Sequence, residues 1–105
     1  MGNGFTPLHL AARYGYLNVC RLIIEKVEDK NPADSNGWTP LHWAAMTGQL
    51  DVCRLIINNV DNKHPVNNNR NTPKNLADLR GHIAVSQLFE PYIHAGFIRI
   101  GVKFN

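Results

Sequence analysis

The sequence predicts an all-α repeat solenoid, and three observations lead to this fold class. The tetrapeptide Thr-Pro-Leu-His occurs at 6–9 and again at 39–42, and a degenerate Thr-Pro-Lys-Asn follows at 72–75. Aligning residues 1–33 with 34–66 gives 19 identical positions. A glycine stands nine residues after each of the three threonines. A fixed period of 33 residues is typical of stacked repeats, in which each unit buries its apolar surface against its neighbours.

The tetrapeptide predicts the start of a short helix. The hydroxyl of Thr6 or Thr39 can accept a bond from an unpaired amide of the first turn. The proline that follows lacks an amide that the helix start would leave unpaired anyway. Three glycines, at 15, 48 and 81, stand where a residue in the left-handed region ends a helix. Helices of this length are unstable alone, so packing between units must hold them.

A second helix is predicted in repeat 1 from about Leu17 to Lys26. Its apolar side chains form a wide stripe, as in a helix that is largely buried. They are Leu17, Val19, Cys20, Leu22, Ile23 and Ile24. The segment Val-Cys-Arg-Leu-Ile-Ile recurs at 52–57, so repeat 2 is expected to contain the same pair of helices.

This pattern resembles the ankyrin repeat family. Thr-Pro-Leu-His-x-Ala-Ala-x-x-Gly at a period of 33, followed by the Val-Cys-Arg-Leu-Ile-Ile helix, carries the resemblance over about residues 1–92. The resemblance implies helix-turn-helix pairs joined by β-hairpin loops, with Ser35-Asn36-Gly37 as a hairpin tip. The family usually ends the second helix with glycine, where this chain has Val27 and Val60, so this junction departs from the family pattern.

The period divides the chain into four segments. We expect an ankyrin-like repeat 1 at 1–33, truncated or uncapped at its N-terminus, repeat 2 at 34–66, a degenerate capping repeat 3 at 67–93 and a non-repeat tail at 94–105. In repeat 3 polar residues replace apolar ones, as a closing repeat requires. Lys74, Asp78, Ser86 and Glu90 stand where repeat 2 has Leu41, Ala45, Cys53 and Ile57.

The two ends of the chain leave alternatives open. The first helix of repeat 1 is as apolar as an internal one, although a terminal repeat needs a polar outer face. The chain is therefore either a fragment of a longer array, or its uncapped end is covered by a partner or a second copy. The tail alternates apolar residues, from Ile98 to Phe104, with Arg99, Gly101 and Lys103. This strand-like pattern fits either a disordered end or a strand packed on the last helix.

Composition excludes several classes of protein. The hydrophobic fraction of 44% and the charged fraction of 18% are those of a globular chain. The net charge is +3, but residues 1–93 carry nine basic and eight acidic residues, which gives +1 and no case for nucleic acid. No apolar run reaches membrane-spanning length, so no membrane insertion is expected. The first residues lack the pattern of a secretory signal.

The two cysteines and the histidines do not form a chemical site. Cys20 and Cys53 are equivalent residues of successive repeats, expected about 10 Å apart and thus beyond the roughly 7 Å that a disulfide allows between Cα atoms. Reduced thiols indicate an intracellular, cytoplasmic location. The family resemblance makes His9 and His42 structural. We expect no catalytic residue, no cofactor and no metal site, because no ligand pair or nucleophile motif is present.

The resemblance also implies where a partner binds, because ankyrin arrays usually contact partners through hairpin tips and the inner, concave side of the first helices. The matching positions are Asn3, Phe5, Leu10, Arg13, Tyr14, Ser35, Asn36, Trp38, Trp43, Met46, Thr47, Asn69, Asn71, Leu76, Leu79 and Arg80. The residues selected from them as partner-binding are Phe5, Arg13, Tyr14, Trp38, Trp43, Met46, Thr47, Leu79 and Arg80. The alternative is that Trp38 and Trp43 only cover neighbouring repeats and fill the core.

These observations favour a protein–protein interaction module or scaffold whose partner is another protein with some acidic residues. One alternative is a structural spacer in a longer ankyrin array, of the kind found in channels or membrane-skeleton adaptors. The other is a metal-dependent or cysteine enzyme, which the missing motifs disfavour.

Overall fold

A computed structural model describes residues 2–93 of the chain. Within this range the chain forms seven helices and no strand. They are α1 Pro7–Tyr14, α2 Leu17–Lys26, α3 Pro40–Met46, α4 Leu50–Ile57, α5 Pro73–Leu79, α6 Ile83–Leu88 and α7 Glu90–Ile93. None of these helices is long and apolar enough to cross a membrane. The architecture is a helical repeat solenoid.

The first helices α1, α3 and α5 begin at the predicted residues. Thr6, Thr39 and Thr72 each cap a helix with proline in its first turn. In repeat 1 the amide of Thr6 donates to Nδ1 of His9 over 3.0 Å, while the Thr6 hydroxyl accepts from the His9 amide over 3.4 Å. Two otherwise unpaired amides are thereby satisfied, which stabilises a helix of only two turns.

The ends of these helices also follow the prediction. The glycine after each first helix is left-handed, with φ between 75° and 77° at Gly15, Gly48 and Gly81. Since a side chain in this region meets a steric penalty, glycine lets the chain turn sharply into the second helix.

The second helix α2 ends in a way that the sequence did not indicate. The ammonium group of Lys30 donates to the carbonyl oxygen of Ile24 over 2.6 Å and also to that of Val27. In α2 a lysine therefore satisfies carbonyl groups that glycine-type helix ends otherwise pair through the backbone. In repeat 2 the equivalent Lys63 donates to Val60, which lies beyond the end of α4.

The repeats stack in two rows of helices. The first helices pack α1 on α3 and α3 on α5, and the second helices pack α2 on α4 and α4 on α6. One apolar core runs through all three repeats. It consists of Leu8, Ala11, Ala12, Cys20, Ile24, Leu41, Ala44, Ala45, Val52, Cys53, Ile56, Ile57, Ala77, Val85 and Phe89.

The predicted β-hairpin loops are not confirmed, because no strand forms between residues 2 and 93. The turn at Ser35-Asn36-Gly37 does form. A backbone bond from Asp34 to Trp38 of 2.8 Å closes it, and the amides of Asn36 and Trp38 donate to the Asp34 carboxylate. These amides bond to a side chain instead of a paired strand, so the loop is a closed turn. Asn67 replaces Asp34 in the next loop.

The polar replacements in repeat 3 contact one another. The Lys74 ammonium lies 3.0 Å from Asp78 Oδ2 and 3.4 Å from Glu90 Oε2, and the Ser86 hydroxyl donates to Asp78 Oδ1. The bond from Ser86 and the contact with Lys74 lower the pKa of Asp78. The bounds of the four segments and the capping role of 67–93 stay predictions, and the tail 94–105 lies outside the described residues.

Candidate functional site

Three of the selected aromatic residues form a cluster that joins repeats 1 and 2. The Trp38 and Trp43 rings lie 4.6 Å apart between centroids, and Phe5 meets Trp43 edge-on at 6.1 Å. Phe5 and Trp38 both stand directly before a capping threonine, and Trp43 lies within α3. Such tilted and edge-on pairs contribute about 0.5–1.5 kcal/mol beyond their buried area.

Arg13 lies over this cluster. Its guanidinium carbon is 5.0 Å from the ring centroid of Trp43 and 5.3 Å from that of Tyr14. A guanidinium at this distance is attracted by the negative face of each ring. Together, Phe5, Arg13, Tyr14, Trp38 and Trp43 form one continuous contact network, hereafter the aromatic surface.

Two histidines support the aromatic surface from the buried side. The rings of Phe5 and His9 stack at 5.0 Å, and Trp38 lies 5.8 Å from His42. His9 Nδ1 accepts the Thr6 amide proton, so its proton lies on Nε2, which donates to the Trp38 carbonyl over 2.8 Å. Burial lowers the pKa of both histidines and keeps them neutral. Their role is structural.

The members of the aromatic surface differ in exposure. Tyr14 is 53% exposed, and Phe5 and Arg13 are also accessible. Trp38 and Trp43 are half-buried, and the Trp43 Nε1–H is buried with no acceptor among residues 2–93. The two tryptophans therefore fill the joint between repeats, in line with the alternative from the sequence, and present only part of each ring.

The remaining selected residues, Met46, Thr47, Leu79 and Arg80, lie outside the aromatic surface and differ in their contacts. Arg80 Nη2 lies 3.7 Å from Met46 Sδ, which makes a second and smaller group between repeats 2 and 3. Leu79 is 72% exposed beside it in α5. The Thr47 hydroxyl lies 2.9 Å from the Arg13 carbonyl oxygen and 2.8 Å from that of Trp43, so its proton bonds inward and links repeats.

One candidate position is buried. Leu76, placed on the partner side with Trp43 of the preceding repeat, is only 6% exposed. Repeat 2 packs over α5, the helix that contains Leu76. Leu76 therefore offers little side-chain area to a partner in this structure.

Sequence reasoning missed a second set of links between repeats. Gln49 Nε2 donates to the Arg13 carbonyl over 3.3 Å, and His82 Nε2 lies 3.1 Å from the Met46 carbonyl oxygen. Both residues follow a helix-ending glycine, and Tyr16 occupies the same place in repeat 1. These three positions are equivalent under the 33-residue period. Because their residue types differ, the comparison of repeats for identical residues did not reveal them.

The buried thiols and the spacing of the described ligand-type side chains give no support for metal or nucleophilic chemistry. Burial raises the pKa of Cys20 to about 11 and that of Cys53 to about 12, so both thiols stay protonated at neutral pH. In the described part of the chain no group of three or more His, Cys, Asp or Glu residues could hold a metal ion.

Paired short helices stacked at a 33-residue period, with contacts that recur from unit to unit, define a helical repeat protein. A family model for ankyrin repeats matches the chain in three copies, over residues 1–66 and 27–95. The chain belongs to the ankyrin repeat family. Ankyrin repeats are generally protein–protein interaction modules and typically have no enzymatic activity. A search of curated proteins found no match to the chain.

Proposed function

We propose that this chain is a recognition module that binds another protein on the aromatic surface. The observation that carries the proposal is the position of Arg13 above Trp43 and Tyr14, within a cluster shared by two repeats. Arginine, tyrosine and tryptophan are the residues that most often dominate binding energy at interfaces.

Ordering of the aromatic surface before binding supports this proposal. The rings of Phe5, Trp38 and Trp43 are held by one another and by the histidines below. Side chains that are already fixed lose little conformational entropy when a partner arrives. The exposed Arg13 has further N–H donors, which a carboxylate accepts in a two-bond geometry. The expected ligand is a protein segment with an acidic residue next to an apolar one.

The second group extends the surface toward repeat 3. Arg80 at Met46 adds another guanidinium beside a sulfur side chain, and Leu79 adds exposed apolar area. A partner that crosses all three repeats would meet alternating cationic and apolar contacts. Such a pattern fixes the register of an extended segment.

A structural spacer remains the second candidate. The half-buried tryptophans and the inward bonds of Thr47 favour it, because these side chains already join the repeats. If the chain is a spacer, the set of proteins that binds it does not change when exposed residues of the aromatic surface are substituted.

A pull-down from cell lysate, read by mass spectrometry, separates the two candidates. The test variant is Arg13→Ala/Tyr14→Ala, which removes exposed groups and leaves the packed tryptophans in place. The matched control is Arg21→Ala/Leu22→Ala, another adjacent arginine and exposed apolar residue, on α2. Circular dichroism first establishes that all three chains fold.

Recognition through the aromatic surface predicts a partner that the wild type and the control retain and the test variant loses. Identical protein sets for all three chains would contradict the proposal and favour the spacer.

We also propose an intracellular, reducing location, supported by two unpaired cysteines within a folded core.

A further inference from the structure

Two arginines from different repeats approach the same helix. The guanidinium carbon of Arg13, in α1, lies 5.0 Å from the ring centroid of Trp43. Arg80, which follows directly after α5, has its Nη2 atom 3.7 Å from Met46 Sδ. Trp43 and Met46 both belong to α3, which packs between α1 and α5. Repeats 1 and 3 therefore each place a cation against the first helix of repeat 2. We call Arg13 and Arg80 the arginine pair.

These contacts limit the distance between the two guanidinium groups. Residues three positions apart on a helix are neighbours, with about 5–6 Å between their Cβ atoms, and Trp43 and Met46 have this spacing on α3. Each guanidinium lies against one of these two side chains. The two cations are therefore on the order of 10 Å apart, with the side chains of α3 between them.

Hydrogen bonds between repeats hold the backbone on both sides of this site. The Arg13 carbonyl accepts from the Thr47 hydroxyl over 2.9 Å and from Gln49 Nε2 over 3.3 Å. On the other side, His82 Nε2 lies 3.1 Å from the Met46 carbonyl oxygen. These bonds join repeat 1 to repeat 2 and repeat 2 to repeat 3. The helices that carry the arginine pair therefore keep a fixed spacing.

The arginine pair has no carboxylate partner within residues 2–93. The ion pairs there are Arg54–Asp51, Lys74–Asp78 and Lys74–Glu90. In the three repeats, the nine helix positions equivalent to Leu10, Arg13 and Tyr14 contain no acidic residue. This side of the first helices therefore presents two cations and no anion, and a ligand with two anionic groups complements its charge.

We infer that the arginine pair binds a partner segment in the polyproline II conformation that carries two carboxylates three residues apart. This inference rests on the proposed function and specifies the ligand of the same surface. Polyproline II has three residues per turn and a rise of about 3.1 Å per residue, so side chains at i and i+3 lie about 9 Å apart on one side. This separation matches the spacing of the two guanidinium groups, which is on the order of 10 Å.

Other backbone conformations fit this spacing less well. In a β-strand the residues of one face recur every two positions, about 6.7 Å apart, and residue i+3 points to the opposite face. An α-helix reaches about 10 Å on one face only between i and i+7, and its diameter of about 10–12 Å holds most of its atoms away from the surface. An extended segment with a three-residue period is therefore the ligand that the spacing favours.

The aromatic rings beside the arginine pair suit the proline residues of such a segment. Trp38 and Trp43 lie 4.6 Å apart between centroids, and each is half-buried and exposes part of its ring. Proline-rich segments bind aromatic-lined grooves, and their conformation is already restricted before binding. The residues between the two carboxylates would therefore pack on tryptophan at a low cost in conformational entropy.

The test measures the binding of three synthetic peptides by tryptophan fluorescence, since both tryptophans lie in the aromatic surface and the peptides contain none. The first, Pro-Glu-Pro-Pro-Glu-Pro, has the expected spacing. The second, Pro-Glu-Glu-Pro-Pro-Pro, has the same composition with adjacent carboxylates. The third, Gly-Glu-Gly-Gly-Glu-Gly, keeps the spacing but is a flexible coil. Acetyl and amide groups remove the terminal charges of all three.

Variants of the chain assign the binding to the arginine pair. Arg13→Ala, Arg80→Ala and the double variant remove its cations. The control Arg21→Ala/Arg54→Ala removes the same charge from the second helices, and all four arginines are exposed, so the variants are expected to fold. The first peptide is expected to bind most tightly. Each single variant is expected to weaken its binding about threefold and the double variant roughly tenfold, while the control keeps the wild-type affinity.

Several results would overturn the inference. Equal affinity for the first and second peptides would contradict the three-residue spacing, and equal affinity for the third would contradict the polyproline II conformation. Equal losses in the double variant and the control would mean that general charge attraction binds the peptide. The absence of binding by all three peptides also overturns it. The proposed function fails differently, in a pull-down where Arg13→Ala/Tyr14→Ala loses no partner.

Discussion

At the scale of single residues, the side chain three positions after each capping threonine carries the start of its helix. His9 and His42 accept the threonine amide proton through Nδ1, and Asn75 does so through Oδ1 over 2.9 Å. The histidines reach further, to the carbonyl groups of Trp38 and Asn71 in the next loop. A histidine thus joins two repeats where asparagine caps only one helix.

The buried histidines make stability depend on pH. Their folded-state pKa values lie below the usual 6.5. Just below pH 6.5 the unfolded chain therefore binds more protons at these two residues than the folded chain does. Their contribution is complete above pH 6.5 and is lost as pH falls from there through the folded-state pKa. The slope cannot exceed about 1.4 kcal/mol per pH unit for each histidine. Urea unfolding between pH 7.5 and 5 measures it.

The control variant for this prediction copies repeat 3, where Asn75 takes the place of the histidine. His9→Asn/His42→Asn keeps the capping geometry of Asn75 but removes both titrating groups. Its free energy of unfolding is expected to be lower at pH 7.5, since the bonds to the next loop are lost, and to vary less with pH. An equal pH dependence in both chains would assign it to other groups, such as His64, whose pKa burial also lowers.

Thiol reactivity tests the burial of the cysteines. Because the pKa values of Cys20 and Cys53 are raised to about 11 and about 12, almost no thiolate is present at pH 7.5. Iodoacetamide is expected to label neither residue in the native chain and both in urea, as read by intact mass. Rapid native labelling of either cysteine would revive the cysteine-enzyme alternative.

The helix-ending glycines provide a matched pair of substitutions. A Cβ at Gly48 would lie 2.8 Å from His82 Nδ1, whereas none of the described atoms lies within 4 Å of a Cβ at Gly81. Both alanine variants are expected to lose about 1–2 kcal/mol from the left-handed backbone. Gly48→Ala is expected to lose about 1 kcal/mol more, because the His82 bond to Met46 breaks. Equal losses in urea unfolding would contradict this.

At the scale of elements, the end of α2 depends on one lysine. Removing the Lys30 ammonium with Lys30→Met leaves the carbonyl groups of Ile24 and Val27 without this partner. The expected loss in the free energy of unfolding is about 1 kcal/mol. Lys26→Met removes a charge from the last turn of the same helix and is expected to cost about 0.3–1 kcal/mol. A larger loss at Lys26 would argue against capping by Lys30.

The sequence predicts the helix starts and ends that depend on interactions between residues close together in the chain. The start of α1 at Thr6, its end at Gly15 and the bounds of α2 at Leu17 and Lys26 all agree with the structure. The lysine cap was not predicted, because it depends on how the loop after α2 folds back. The β-hairpin loops that the family resemblance implies are not confirmed, and in the loop at Asp34 the amides of Asn36 and Trp38 donate to its carboxylate.

The candidate site was predictable only in part. The family resemblance places four aromatic residues on the partner side, and the structure joins them to one another through ring contacts and Arg13. Burial was not predictable, since the repeat that covers a position lies 33 residues away. Leu10 and Leu76 are equivalent leucines, yet Leu10 is exposed and Leu76 is buried.

At the scale of the whole molecule, equivalent residues of different repeats are buried to different extents. Ile56 is fully buried between repeats, and the equivalent Ile23 in repeat 1 is half-buried. Ile56→Ala is therefore expected to cost about 2–4 kcal/mol and Ile23→Ala roughly half of that or less. Urea unfolding compares the two free energies of unfolding. Equal losses would contradict the difference in burial.

The tryptophan pair has a further consequence for optical measurements. Both tryptophans of the chain lie in one cluster, 4.6 Å apart between centroids, with the Arg13 guanidinium of the neighbouring repeat against Trp43. Rings this close share electronic excitation, so near-ultraviolet circular dichroism and emission both report on this single joint. If the joint between repeats 1 and 2 opens while the helices stay folded, the fluorescence will change and the helical signal will not. The molecule thus carries an intrinsic spectroscopic probe of its own partial unfolding.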